Sequence, residues 1–214
     1  MAQIAPLGNK ASPMARIDVI SDVICPWCWI GKRQLDLALD GAGSRFDVHF
    51  RPFQLNPDMP EEGVPRAEYR AAKFGSAARG AELDAQVAEV GRGVGLEFRH
   101  DLMQRTPNTV RAHRLLAWAA GPGQAALKEA LMRAYFAQGQ DIGDPDVLAA
   151  IAAAQGLDGA DAFLASDALD AQVRAEDLAF RRLGINGVPS FALDGQVLFS
   201  GALPAARMAG AFRI

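Results

Sequence analysis

Two cysteines, the only ones in the chain, stand three positions apart in Cys25-Pro26-Trp27-Cys28. A dithiol at this spacing can do reversible two-electron chemistry, in which one thiolate attacks a disulfide sulfur and the second cysteine resolves the mixed disulfide. Proline suits the first turn of a helix, where its missing N–H would have had no partner. The motif therefore places Cys25 at a helix N-terminus, where free backbone N–H groups aimed at the sulfur and the helix dipole would favour the thiolate and lower its pKa from about 8.5 into the ~3.5–7.5 range. Cys28, one turn on, reaches Cys25 but points inward. Cys25 is thus expected to be the exposed, attacking sulfur and Cys28 the resolving one. Two other readings compete. A zinc site would need two more ligands, and His49, His100 and His113 are scattered without ligand spacing. Two inert buried cysteines would leave the Pro-Trp between them unexplained.

The elements that must hold the pair are legible on both sides of it. Arg16-Ile17-Asp18-Val19-Ile20-Ser21 alternates and is β-branched, Cys25 to Leu39 runs as a helix closed by Gly41, and Phe46 to Phe53 alternates at period two. This is a β-α-β unit, assigned here to residues 14–60. Residues 61–184 turn to Ala-rich helical patterns with no convincing strand from about Pro65 on, such as Leu127, Leu131 and Tyr135 at four-residue steps and a helix start at Asp144-Pro145. In the last part, residues 185–214, Ser190-Phe191-Ala192-Leu193 and Gln196-Val197-Leu198-Phe199 flank Asp194-Gly195, a hairpin signal because both central residues of a type I′ turn need positive φ. An amphipathic tail follows Pro204. The expected fold is α/β, two β-rich parts interrupted by an all-helical insertion.

Composition sets the outer bounds. Among 214 residues half are hydrophobic and 22% charged, with a net charge of −3, which excludes disordered, collagen-like and coiled-coil classes. No run approaches the ~18 apolar residues of a membrane span, and no basic patch suggests nucleic acid, so neither is an expected partner. Residues 1–13 read as a disordered leader without the ~7–15-residue apolar stretch of a signal peptide. That points to the cytoplasm, where thiols are kept reduced and a cysteine pair is more often redox-catalytic or metal-binding than structural.

Several neighbours carry two readings each. Asp22, at the end of the first strand, is either a proton acceptor for Cys28 or a turn-capping carboxylate. Trp27 is either an exposed substrate anchor or packing over the helix end. Lys32 either adds positive potential or is a solvated helix lysine. His113 falls on the apolar stripe of its helix with Thr109, Ala112 and Leu116, and reads as a hydrogen-bonded core residue. Asn108 is a helix cap or a site rim. Phe53, Asn56 and Met59 either line a substrate groove or pack a loop against the insertion.

In their order and separation, the motifs resemble a known family. The β-α-β start with Cys25-Pro26-Trp27-Cys28, a long helical insertion and a late Gly187-Val188-Pro189-Ser190-Phe191 resemble the DsbA-type thiol-disulfide oxidoreductases, which have a thioredoxin fold. More narrowly, the runs Ser21 to Arg33, Arg51-Pro52-Phe53-Gln54-Leu55-Asn56-Pro57 and Arg105-Thr106-Pro107-Asn108-Thr109 are similar to the cytoplasmic FrnE-like branch, and the likeness spans Met14 to Phe212. The resemblance implies that Pro189 is cis and faces the cysteines, and that Val188 offers backbone hydrogen bonds to an extended substrate. It implies no tightly bound cofactor beyond the redox-active disulfide, glutathione as a candidate co-substrate, and thiol- or disulfide-containing proteins or peptides as partners. Its alternatives are the related glutathione-dependent isomerases and kappa-type transferases, which usually lack the second cysteine, and a chaperone-like binder. Where the best-known DsbA pattern has Pro-His between the cysteines, this chain has Pro-Trp, so a less extreme thiolate and a less oxidising couple are expected.

Overall fold

The computed structural model describes residues 14–41, 45–121 and 123–214, so the expected leader lies outside the described residues. The first strand, β1 (Ala15–Ser21), leads into α1 (Pro26–Leu39) and then β2 (Phe46–Pro52), which pairs with β1 in parallel, Val19 opposite Phe50. Near the C-terminus, β5 (Ser190–Leu193) and β6 (Gln196–Ser200) form a hairpin before the final helix α9 (Ala205–Phe212). The sheet order is β2-β1-β5-β6, with β1 antiparallel to β5 and β5 to β6. Asp194 and Gly195 both have positive φ, 48° and 82°, as the turn requires. The Asp194 carboxylate also accepts from the Arg16 N–H at 2.9 Å, tying the turn back to the first strand.

β1 is central and buried on both faces, which is why its β-branched residues pack without a solvent side. On one face Ile17, Val19 and Phe191 meet Leu35 and Ala38 of α1 and Met208 and Phe212 of α9. On the other, Ile20 packs with Phe53, Ile185 and Ala192. Between β2 and β5 lie α2 (Arg66–Phe74), α3 (Ala77–Arg92), α4 (Val110–Trp118), α5 (Gln124–Gln138), α6 (Pro145–Ala154), α7 (Ala160–Ala165) and α8 (Asp170–Arg182). Their largest core gathers Leu115, Leu127, Leu131, Met132 and Leu148 and is continuous with Val23, Cys25, Cys28 and Trp29. The cysteine pair therefore sits at the seam between sheet and helices.

One expectation for this stretch is corrected. Two short strands, β3 (Val64–Pro65) and β4 (Arg105–Thr106), pair antiparallel within it. Two-residue strands leave no periodicity to read. Their close approach depends on Gly63, where a Cβ would lie 2.6 Å from the Thr106 carbonyl oxygen.

Candidate functional site

The turn after β1 fixes both cysteines. Cys25 is the N-cap of α1 and Pro26 its first residue, and the Cys28 N–H donates to the Cys25 carbonyl at 3.0 Å. Two expectations change here. Cys25 is buried, with 4% of its surface exposed against 1% for Cys28, so its sulfur is reached through a cavity and not from the open surface. Nor do the helix-end N–H groups bond that sulfur: its side chain makes no capping bond, and the thiol instead donates to the Val188 carbonyl at 3.7 Å. Both sulfurs are thiols. Burial first, then the hydrogen bond and charge of Cys25, pushes the Cys28 thiol well above its usual range, while Lys128 pulls it down.

Across the site, the Val188–Pro189 peptide is cis. Its loop lies close to α1 because residue 31 is glycine: a Cβ there would come within 2.8 Å of the Pro189 ring and 3.4 Å of the Phe191 ring. In the sequence Gly31 is one residue of a longer motif; the missing side chain is what lets the helix bearing the cysteines dock on this loop.

A cavity of about 360 Å³ opens on Cys25. Pro26, Trp27, Gly187 and Val188 line it beside that sulfur, and Cys28 does not. Trp27 is 41% exposed, consistent with the anchor reading. The far wall carries Arg66, Arg70 and Lys73 from α2, with Asp84 and His100. Arg66 and Arg70 each bond Asp84, at 2.8 and 2.7 Å, yet the Nε atoms of both are buried without a hydrogen-bond partner among the described residues. Burial pulls His100 below its usual value and the two arginines add to that, which favours the neutral ring. Three cations against one carboxylate make this wall attractive to an anion.

Behind the cysteines lies a buried polar layer. Asp22 is fully enclosed, and its carboxylate accepts from the Leu55 N–H at 2.7 Å and pairs with His113 Nε2 at 3.1 Å. His113 is thus the hydrogen-bonded core residue that its apolar stripe suggested, and its partner is Asp22, ninety-one positions away. Lys32 is not solvated: it is buried, with Nζ 2.8 Å from Asp36 and 3.2 Å from Glu129. Lys128, which sequence reasoning missed, is buried beside this layer. Its one signal was position, a lysine next to Leu127 inside an apolar stripe.

The three residues suggested as a groove and the candidate rim residue Asn108 separate. Phe53 does not line the cavity: it is 2% exposed, packed in the sheet core under the Arg181 guanidinium at 4.3 Å. Alternation carried the strand pattern one residue past β2, where helices cover the second face. Asn56 and Met59 line a shallower neighbouring groove, with the Asn56 side-chain carbonyl accepting from Tyr69 at 3.0 Å. Asn108 is a tether one residue before Thr109, the N-cap of α4, donating to the Met59 carbonyl at 2.7 Å and accepting from the Val110 N–H at 2.9 Å.

A thioredoxin-like sheet with a dithiol on the first helix and a proline loop opposite defines a class, and comparison with known proteins gives it a family. Residues 16–213 match the DSBA-like thioredoxin domain, and the chain belongs to that family. It is similar to a probable DsbA oxidoreductase from Streptomyces coelicolor, with 31% identity, a TM-score of 0.82 and coverage of 92% of this chain and 88% of that one. The Bacillus subtilis protein YwbO, described as uncharacterised, is 26% identical over 85% of this chain and 88% of its own length. The cytosolic disulfide reductase DsbM from Pseudomonas aeruginosa with GSH shares the fold, with a TM-score of 0.66 at 21% identity, over 93% of this chain and all of that one. No helix among the described residues is long and apolar enough to cross a membrane.

Proposed function

We propose that this chain catalyses dithiol-disulfide exchange through Cys25 and Cys28. The observation that carries the reading is the asymmetry of the pair: Cys25 stands on the cavity wall against Val188, and Cys28 is enclosed behind it. In the reducing direction, Cys25 thiolate attacks one sulfur of a substrate disulfide and the other leaves as thiolate. Cys28 thiolate then attacks Cys25 Sγ, the enzyme disulfide forms, and the second substrate sulfur is released; two electrons pass from enzyme to substrate. Running the steps backward oxidises a substrate dithiol. Val188 offers main-chain bonding to an extended substrate beside Pro189, and Trp27 an apolar anchor at the rim. Both oxygens of Asp22 are engaged, which supports the turn-anchoring role over proton acceptance.

The substrates we infer are thiol- or disulfide-containing peptides and small acidic thiols. Arg66, Arg70 and Lys73 on the cavity wall suit a carboxylate, and glutathione, present with the DsbM neighbour, has that chemistry. Cys28 supports exchange over the isomerase and transferase chemistry of relatives that usually lack it. The cytoplasm remains the compartment we infer, on the FrnE-like motifs. The test is trapping: Cys28→Ser should accumulate mixed disulfides on non-reducing gels and Cys25→Ser should not, since only the former keeps the attacking sulfur without its exit. Equal trapping by both variants would refute the reading, and substrate binding by Cys25→Ser without any exchange by the wild type would favour a binding protein.

A further inference from the structure

Lys128 lies on α5, which packs against α1, β2, α4 and α6. Its side chain is buried, 1% exposed, and among the described residues its Nζ has no hydrogen-bond partner. Its ammonium lies 5.9 Å from the centre of the Phe50 ring, and Leu127, Leu131 and Met132 around it on α5 share one core with Cys28 of α1. An enclosed cation without an anion is among the most costly arrangements in a folded protein. The other buried lysine of this region, Lys32, avoids that cost through Asp36 and Glu129. Lys128 therefore stands apart as a buried amine without a hydrogen-bond partner among the described residues.

The ionisable groups that act on Lys128 are Cys28 and Lys32 on α1, Cys25 at the α1 N-cap and Asp22 after β1. Asp22 is already committed to Leu55 and to His113 of α4. Cys28 is the group that becomes an anion only during turnover. We propose that Lys128 is the counter-charge of the Cys28 thiolate, a positioning residue that stabilises the resolving sulfur in its reactive form; this deepens the exchange reading above and rests on it. When Cys28 resolves a mixed disulfide, its proton has passed to water or a buffer base, the sulfur attacks Cys25 Sγ, and the bond to the departing thiolate breaks. When the enzyme disulfide is opened by a substrate thiolate, Cys28 leaves as the anion beside the same ammonium. In both directions negative charge appears at one buried sulfur, and the cation is already there. The two titrations agree with this placement: burial pulls Lys128 down to about 8 while Cys28 and Asp22 act upward on it, and Lys128 acts downward on Cys28.

The experiment mixes reduced protein with an aromatic disulfide whose thiolate is coloured. One equivalent is released as Cys25 attacks and the second as Cys28 resolves. In Lys128→Met the second phase should slow on the order of tenfold near neutral pH, because less of Cys28 is thiolate, and its pH profile should move upward. A second variant keeps the charge: Lys128→Arg should retain most of the second-phase rate and the wild-type pH profile, because a cation stays beside the resolving sulfur. A second phase with unchanged rate and pH profile in a folded Lys128→Met protein, or a folded Lys128→Arg protein as slow as Lys128→Met, would overturn the assignment. Failure of the wild type to release a second equivalent would instead overturn the exchange reading itself.

Discussion

Replacing Gly31 with alanine tests how closely α1 must sit on the proline loop. In isolation the change should help, because alanine is better than glycine in a helix interior by about 1 kcal/mol. Against it stands the Pro189 ring, 2.8 Å from the new Cβ, which is about 0.7 Å short of the ~3.5 Å optimum for carbon contacts. Phe191 at 3.4 Å blocks retreat to one side, and a proline ring cannot rotate away as a lysine end would. Overpacking of this kind costs about 1–3 kcal/mol, so the expected result is a net loss of about 1 kcal/mol. Urea denaturation should show a lower midpoint at unchanged slope. The displaced loop should also take the Val188 carbonyl from Cys25 Sγ, so Cys25 should alkylate faster than in the wild type. A more stable Gly31→Ala protein with unchanged alkylation would refute the reasoning, because it would mean that the helix and loop are not in the contact described.

Asp22→Ala should cost about 2 kcal/mol or more, since the Leu55 N–H and His113 lose their acceptor in the core; a loss below about 0.5 kcal/mol in urea would contradict it. Lys128→Met should stabilise the fold, most strongly near pH 7. With a folded value of about 8 against 10.5 unfolded, the unfolded chain binds the extra proton between these values, so the penalty, about 3 kcal/mol below pH 8, fades as pH rises through that window. Taking the difference between Lys128→Met and wild type at each pH removes the opposite trend from Cys28, and a pH-independent difference would refute the burial argument. Trp27→Ala should weaken peptide binding with stability unchanged within about 0.5 kcal/mol, because the indole is partly exposed at the cavity rim; equal affinities by calorimetry would remove the anchor role.

What the sequence disclosed and what it hid follow one physical distinction. The β-α-β start, the helix begun at Asp144-Pro145 and the Asp194-Gly195 hairpin were legible because each depends on residues within a few positions of one another. The Asp22–His113 pair was not, since two elements ninety-one positions apart must meet before either side chain has a partner. Arg66 and Arg70 were likewise hidden: their helical spacing is ordinary, and only Asp84 and the cavity make them notable. The exposure expected of Cys25 failed for the same reason, because the Val188 loop that covers its sulfur comes from the far end of the sequence. Phe53 shows the reverse error, a local pattern extended past the point where tertiary packing takes over.

The hydrogen bond between Cys25 and Val188 joins positions 163 residues apart. During synthesis, both thiols are therefore made long before the chain that supplies the opposite wall. A nascent chain halted before residue 190 would carry the complete dithiol and the β1–β2 pairing, but one edge of β1 would lack its β5 partner and present a bare ladder of backbone donors and acceptors. Such a chain would have reactive sulfur without the surface that selects what reaches it, together with a sticky strand. High contact order at this site thus makes thiol reactivity of the incomplete chain a hazard that ends only when the C-terminal hairpin docks.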